Sequence, residues 1–246
     1  MNEEYTIGVL SDPHSNFQAL EAVLEDMADK YPVTKILCVG DIVGYYTEPS
    51  KVLRLVQEVC DHIVRGNHDD AAARNYLHPD FNIFAAAALK YSIDHLSNQE
   101  KKILYNLPPI LTFPLENEEG KSTMVQMVHG SPEYPLDYYV FDSGKETPSQ
   151  DQLELAEYMD LCELDILTLG HTHRPFVRKV DERLLLNPGS AGQPRDGDNR
   201  PSYVVLDPFN KEGKVERVTY DIETTIQLIK EAELPRQLGE RLRRGK

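Results

Sequence analysis

Positive charge is scarce in this chain: 26 Lys and Arg stand against 41 Asp and Glu, a formal net charge of -15. Duplex nucleic acid and anionic membrane surfaces are engaged by Lys and Arg that displace counterions, so neither is expected as a partner. A phosphate-bearing ligand would need its positive charge supplied locally. Cysteine is also sparse. Cys38, Cys60 and Cys162 are odd in number, widely spaced and set among apolar residues, with no Cys-x-x-Cys pair. That pattern reads as reduced core thiols rather than a disulfide framework. No apolar run approaches the roughly 18 residues of a membrane span. The start, Met1-Asn2-Glu3-Glu4, carries no signal-peptide pattern. These absences predict a soluble, cytoplasmic protein that meets no membrane.

What is present suffices for a core. A chain of 246 residues, 40% of them hydrophobic, fits one large domain better than two small ones. That domain is expected over residues 1–233. Residues 234–246, with Arg236, Arg241, Arg243, Arg244 and Lys246, read as a solvated basic tail without a function. No internal repeat and no low-complexity segment is visible, and homo-oligomer formation is left open.

Asn16 is placed to cap a helix whose apolar positions Phe17, Leu20, Val23, Leu24 and Met27 follow the helical period. A short β-branched segment, 35–39, precedes a second helix with Pro49 near its start. Strand, helix, strand, helix, strand implies a parallel sheet with right-handed crossovers. Residues 70–109 depart from the alternation and read as a helical insertion, with Ser97 to Glu100 as a capping box. The insertion suits a cap over a site or a packing pair on the sheet's flank. Residues 110–116 and 122–128 read as a hairpin about Gly120. The loop 132–149 carries Tyr134, Tyr138, Tyr139 and Phe141, fit to stack on a substrate or to cover the loop's own small core. Residues 183–186, 202–206 and 214–220 read as antiparallel strands, with turns at Gly192, Gly197 and Gly213, and Asp221 as the cap of a last helix.

Five apolar segments end in residues able to hold metal. They lead into Asp12-Pro13-His14, Gly40-Asp41, Gly66-Asn67-His68-Asp69, His129-Gly130 and Gly170-His171-Thr172-His173. Histidines at i and i+2 of an extended segment project to one side. Two alone make a weak site, because a catalytic centre takes three or more ligands. Residues at the carboxyl ends of strands converge in an open α/β sheet, so distant motifs can complete one cluster. Taken singly, His14 or His129 is as well read as a structural histidine and Asp12 as a helix cap.

Taken together and in this order, the motifs resemble those of the calcineurin-like metallophosphoesterases, over residues 5 to about 207. The turn Asn187-Pro188-Gly189-Ser190 is similar to one in smaller bacterial and archaeal members. The resemblance implies a β-sandwich of mixed sheets flanked by helices, with a dinuclear metal site at the strand ends. Asp12, His14 and His173 would hold one ion and Asn67, His129 and His171 the other, with Asp41 bridging. The implied cofactors are two divalent transition-metal ions, manganese first, with iron, zinc, nickel or cobalt as alternatives. His68, beside the ligand Asn67, would bind phosphate and protonate the leaving group during in-line attack by a metal-bridging hydroxide. Asp69 reads as a cap of the following helix.

One departure bears on the substrate. Eukaryotic-type protein phosphatases read Gly-Asp-x-Val-Asp-Arg-Gly, whereas this chain reads Gly40-Asp41-Ile42-Val43-Gly44-Tyr45-Tyr46. The expected substrate is therefore a small phosphomonoester or phosphodiester, nucleotide-like, with Tyr45 and Arg195 as binding residues. The alternatives are a serine/threonine protein phosphatase, a dinucleoside polyphosphate hydrolase, or a non-catalytic binding scaffold of the same fold. For Arg195 the competing reading is a surface ion pair with Asp196 or Asp198.

Overall fold

The inner strands are apolar on both faces because each face has its own partner. In β1 (Thr6–Leu10) Ile7 and Val9 point into one core while Leu10 points into another. The same alternation splits Leu37 from Cys38 along β2 (Val33–Cys38), and Val204 and Leu206 from Tyr203 and Val205 along β9 (Ser202–Asp207). Side chains of period two thus serve a sandwich on one face and a helical layer on the other. Each aliphatic side chain so buried stabilises the fold by about 1.5–3 kcal/mol.

The computed structural model describes residues 6–79, 81–145 and 147–246; the acidic start, Met1 to Glu4, lies outside them. One five-stranded sheet has the order β10-β9-β1-β2-β3, with β3 at His62–Ile63 and β10 at Glu212–Arg217. Strands β1, β2 and β3 are parallel, and β9 joins β1 antiparallel. The second sheet, β4-β5-β6-β8-β7, comprises Ile110–Glu116, Ser122–Val128, Ile166–Thr168, Arg183–Asn187 and Phe176–Val180 in that order. Ile7, Val9 and Leu37 of the first sheet meet Val125, Met127, Ile166 and Leu184 of the second in the central core.

Helices α1 (Phe17–Lys30) and α2 (Pro49–Val59) cover the outer face of the first sheet, and Asn16 caps α1 by accepting from Ala19 N–H. The insertion forms α3 (Asn67–Arg74), α4 (Ile83–His95) and α5 (Asn98–Asn106), the last opened by the Ser97–Glu100 capping box. Most of it is flank packing: Leu89 and Ile93 join the outer core, while Ala85 and Ala88 lie against Tyr45 and Tyr46. Helix α6 (Gln150–Leu161) covers the second sheet, and α7 (Ile222–Glu231) and α8 (Gln237–Arg244) close the chain.

Three expectations are corrected, and two elements are new. The strand at 183–187 does not pair with the one at 202–207: β8 runs parallel to β6 in the second sheet, and β9 lies in the first. In the sandwich β8 lies between β6 and β7, and β9 between β1 and β10. Strand β7 and helix α6 were not anticipated, although Ser149 and Gln152 form a capping box at the start of α6. Gly213 lies inside β10, paired with Leu206, rather than at a turn. The basic terminus is not a solvated tail. Leu238 and Leu242, one helical turn apart, are buried with Ile229, Ala85 and Ala88, and this apolar stripe docks α8.

Candidate metal centre

Loops leaving the parallel strands run side by side as if the sheet continued. Asp12 N–H donates to the Gly40 carbonyl and His14 N–H to that of Asp41, each at 3.0 Å. In the second sheet Gly170 N–H donates to the His129 carbonyl at 2.9 Å, which sets His171 beside His129. The turn at 187–190 ties the two halves. Asn187 Nδ2 donates to the Gly170 carbonyl at 2.6 Å, and Ser190 Oγ donates to that of Asp12 at 2.7 Å. The backbone is strained where ligands are presented: Asp12, His14, Asp41, His171 and His173 all have φ between 48° and 65°.

Behind the cluster, backbone carbonyls fix the imidazoles. His14 Nδ1 donates to the Val43 carbonyl at 2.9 Å, His129 Nδ1 to Val39 at 2.7 Å and His173 Nδ1 to Gln193 at 2.5 Å. Each Nε2 is thereby the free lone pair, and it faces inward. His173 Nε2 lies 3.1 Å from Asp12 Oδ1. Asp41 Oδ2 stands between the halves, 3.5 Å from His14 Nε2 and 3.3 Å from His129 Nε2. Two overlapping groups, Asp12-His14-His173 and Asp41-His129-His171, each bring their ligand atoms within 4.8 Å of one another.

Burial pushes the imidazole of His14 far down, and takes His171 to about 3. His129 is the exception, raised to about 10 because Asp41 and Asp12 outweigh its burial. Burial alone would raise both carboxyls, but His173 and His129 hold Asp12 down, and His129 and His68 hold Asp41 down. The electrostatics of the buried cluster are thus set by its two carboxylates.

The donor set fits cations. Asp12 Oδ1, Asn67 Oδ1 and His129 Nε2 are buried and form no hydrogen bond of proper geometry. Orphaned acceptors cost about 1–3 kcal/mol each, a penalty that bound cations remove. Mixed oxygen and imidazole donors suit first-row transition metals.

A pocket of about 130 Å³ lies over the cluster, lined by His68, Phe81, Asn82, Tyr139, Arg195 and Arg241 among others. His68 N–H donates to Asp41 Oδ1 at 2.8 Å, and burial brings its side chain to about 4 against the pull of Asp41. Asp69 lies inside α3 at its third position rather than ahead of the helix, with Gly66 as the N-cap; its carboxylate accepts from Gly66 N–H at 3.0 Å and from Val43 N–H at 3.1 Å. Burial and Asp41 raise the Asp69 carboxyl to about 7. Tyr45 lines the pocket but is only 4% exposed; its ring is packed by His14 and His68 at 4.7 and 4.9 Å. It positions its neighbours and offers no free face. Tyr139 is stacked on His171 at 3.8 Å and is 46% exposed, whereas Tyr134 and Tyr138 line a separate pocket.

Arg195 reaches the pocket, with Nε and Nη2 donating to Gln193 Oε1. The surface ion pair does not form, since Asp196 pairs with Arg217 and Asp198 with Arg200. The sequence reading missed Arg241, Gln193, Phe81 and Asn82. For Arg241 the sequence holds only a faint trace, Leu238 and Leu242 one helical turn apart.

Residues 5–211 match the family model for the calcineurin-like phosphoesterase superfamily domain. A protein of Methanocaldococcus jannaschii described as uncharacterized is 34% identical over 98% of both chains. The crystal structure of a metallophosphoesterase from Sphaerobacter thermophilus superposes with a TM-score of 0.79 at 31% identity, covering 98% of this chain and 99% of that one. A hypothetical protein from Pyrococcus horikoshii, 22% identical with a TM-score of 0.84 and the same coverage, shares the fold.

Proposed function

The chain belongs to the calcineurin-like phosphoesterase superfamily, and from that premise we propose that it hydrolyses small, nucleotide-like phosphomonoesters or phosphodiesters with two divalent transition-metal ions. The observation that carries this reading is the inward convergence of buried donors from five chain segments, with Asp12 Oδ1, Asn67 Oδ1 and His129 Nε2 left unpartnered. Asp12, His14 and His173 would hold one ion and Asn67, His129 and His171 the other, with Asp41 shared. Manganese is the first choice; iron, zinc, nickel and cobalt suit the same donors. When bound, the ions supply charge to neutralise the phosphoryl oxygens and acidity to activate water.

The remaining work falls to the chain's own residues. As water's oxygen bonds to phosphorus and releases a proton to solvent, the ester P–O bond breaks and the departing alkoxide takes a proton from the His68 imidazolium. Burial holds His68 to about 4, and a phosphoryl anion arriving beside it raises that value toward neutrality. Arg195 holds a phosphoryl oxygen through its planar fork and is itself held by Gln193. Gly44 and Tyr45 stand where protein phosphatases carry Asp and Arg, so a phosphoprotein is the weaker substrate. The intact ligand set and His68 weigh against a non-catalytic scaffold.

Hydrolysis of p-nitrophenyl phosphate and bis-p-nitrophenyl phosphate with added manganese tests the proposal. Turnover that disappears on chelation is expected; no turnover with any divalent ion overturns it.

A further inference from the structure

The connection between α3 and α4 takes little part in packing the insertion against the sheet. It brings Tyr76, His78 and Phe81 to a cavity of about 530 Å³ beside the metal centre, and the loop after β5 brings Asp137 and Tyr139 to the same cavity. That volume is ordinary for a small-molecule site. The cavity shares Asn67, Phe81, Tyr139 and His171 with the pocket over the cluster, so the two adjoin. A molecule with one end over the cluster has room for its other end there.

The rings around the cavity are open to water. Tyr76 is 51% exposed, and Tyr139 is 46% exposed although it stacks on His171 at 3.8 Å and lies parallel to Phe141 at 6.0 Å. Rings that served only to cover the loop's own core would be buried. Tyr76 meets His78, His78 meets Phe81 and Phe81 meets His68, with centroids 6.0, 6.5 and 4.8 Å apart. The series runs from solvent to the imidazole that protonates the leaving group, which puts the cavity on the leaving-group side of the centre.

Charge divides the two spaces. Arg195 lines the pocket over the cluster, whereas among the described residues no Lys or Arg lines the larger cavity. Its charged residues are the acids Asp70 and Asp137. Asp70 is engaged by Arg65 and Arg74, while Asp137 is exposed. An anion seated there would meet carboxylates and no base. A neutral ring system bearing amino or hydroxyl donors would meet aromatic surface and an acceptor.

We propose that this cavity seats the leaving group and that the leaving group is a neutral nucleoside, its base against Tyr76 and Tyr139 and its donors toward Asp137. The part of leaving group rests on the phosphoesterase reading above; the binding of a nucleoside does not. Tyr76 and Tyr139 are then specificity-determining residues.

Two measurements separate the cavity from the activity. Adenosine, which carries no phosphate, is titrated into chelator-treated protein and followed by NMR. Binding should weaken about tenfold or more in Tyr76→Ala and in Tyr139→Leu. Tyr139→Phe should keep the wild-type affinity, since stacking needs the ring and not the hydroxyl, and so should Tyr134→Ala, whose side chain lines a separate pocket. Tyr76 is half exposed and lies outside the pocket over the cluster, so its removal spares the fold and the ligand set. With manganese, the ratio of kcat/KM for adenosine monophosphate to that for glycerol phosphate should fall about tenfold or more in Tyr76→Ala. If adenosine fails to bind, or binds the wild type, Tyr76→Ala and Tyr139→Leu alike, the proposal is overturned even where hydrolysis is found. If it binds as expected while no phosphoester is hydrolysed, the nucleoside site stands and the phosphoesterase reading falls. If Tyr76→Ala lowers both kcat/KM values equally, the cavity does not seat the leaving group and the proposal is overturned.

Discussion

The Nε2 atoms of His14 and His173 face each other at 3.1 Å, while the Nδ1 of each ring donates to a backbone carbonyl behind it. Two lone pairs cannot meet head-on in a buried site unless a proton or a cation lies between or beside them. Burial disfavours the proton on both rings, which leaves a cation as the complement of the arrangement.

Chelation followed by metal analysis reads this directly. Protein purified with manganese should hold two ions per chain, and Asp41→Asn should hold one or none, because a neutral amide at the shared position forfeits the charge that both halves use. Activity should fall by at least about 100-fold. Full occupancy in the variant would remove Asp41 from the ligand set.

His68 is expected to act on the leaving group rather than on the metal. Replacement by Gln should lower kcat by about 10²- to 10⁴-fold with metal content unchanged, and the loss should be smaller for esters of acidic phenols. A parallel loss of metal would recast His68 as a ligand.

Gly44 holds φ at +95°, and a methyl group there would collide with His68 Nδ1. Gly44→Ala therefore strains the backbone, by about 1–3 kcal/mol, and displaces the imidazole. A fall in kcat of about tenfold or more is expected, with KM for p-nitrophenyl phosphate moving less. Unchanged kinetics would show that the ring position is not critical.

Without metal, stability should peak near neutrality. His171 and His68 titrate lower folded, at about 3 and 4, than unfolded, near 6.5. Their contribution is present above pH 6.5 and is lost as pH falls toward those values. The depressed Asp12 and Asp41 add to the loss at the acid end. His129 has the opposite sign: raised to about 10, its contribution is full below 6.5 and fades as pH rises to 10. Thermal melts of chelated protein from pH 4 to 10 should trace this dome; a flat profile would contradict it.

Leu242→Ala should cost about 2–5 kcal/mol, since the side chain is 1% exposed in the cluster that docks α8. The loss should appear as a lower melting temperature in thermal melts. An unchanged melting temperature would show that this side chain does not dock α8.

The site was largely legible because its chemistry sits in short local motifs at strand ends, and parallel strands force such ends together. Asp12-Pro13-His14 and His171-Thr172-His173 needed no tertiary contact to be noticed. What escaped was tertiary by nature. Whether 183–187 joins one sheet or the other leaves no mark in Leu184-Leu185-Leu186, which suits an interior place in either. Arg241 escaped because charge density at a chain end suggests solvation, while two leucines a helical turn apart in so short a segment give little periodicity to detect.

The left-handed backbone at five of the seven proposed ligands also limits engineering. Copying the seven side chains onto an ordinary strand-to-helix junction of another scaffold would not reproduce their aim, because relaxed junctions do not hold side chains at those angles. A transplant would have to carry the paired loops and the 187–190 buckle with it, and the transferable unit is therefore the rim of the two sheets, not a list of amino acids.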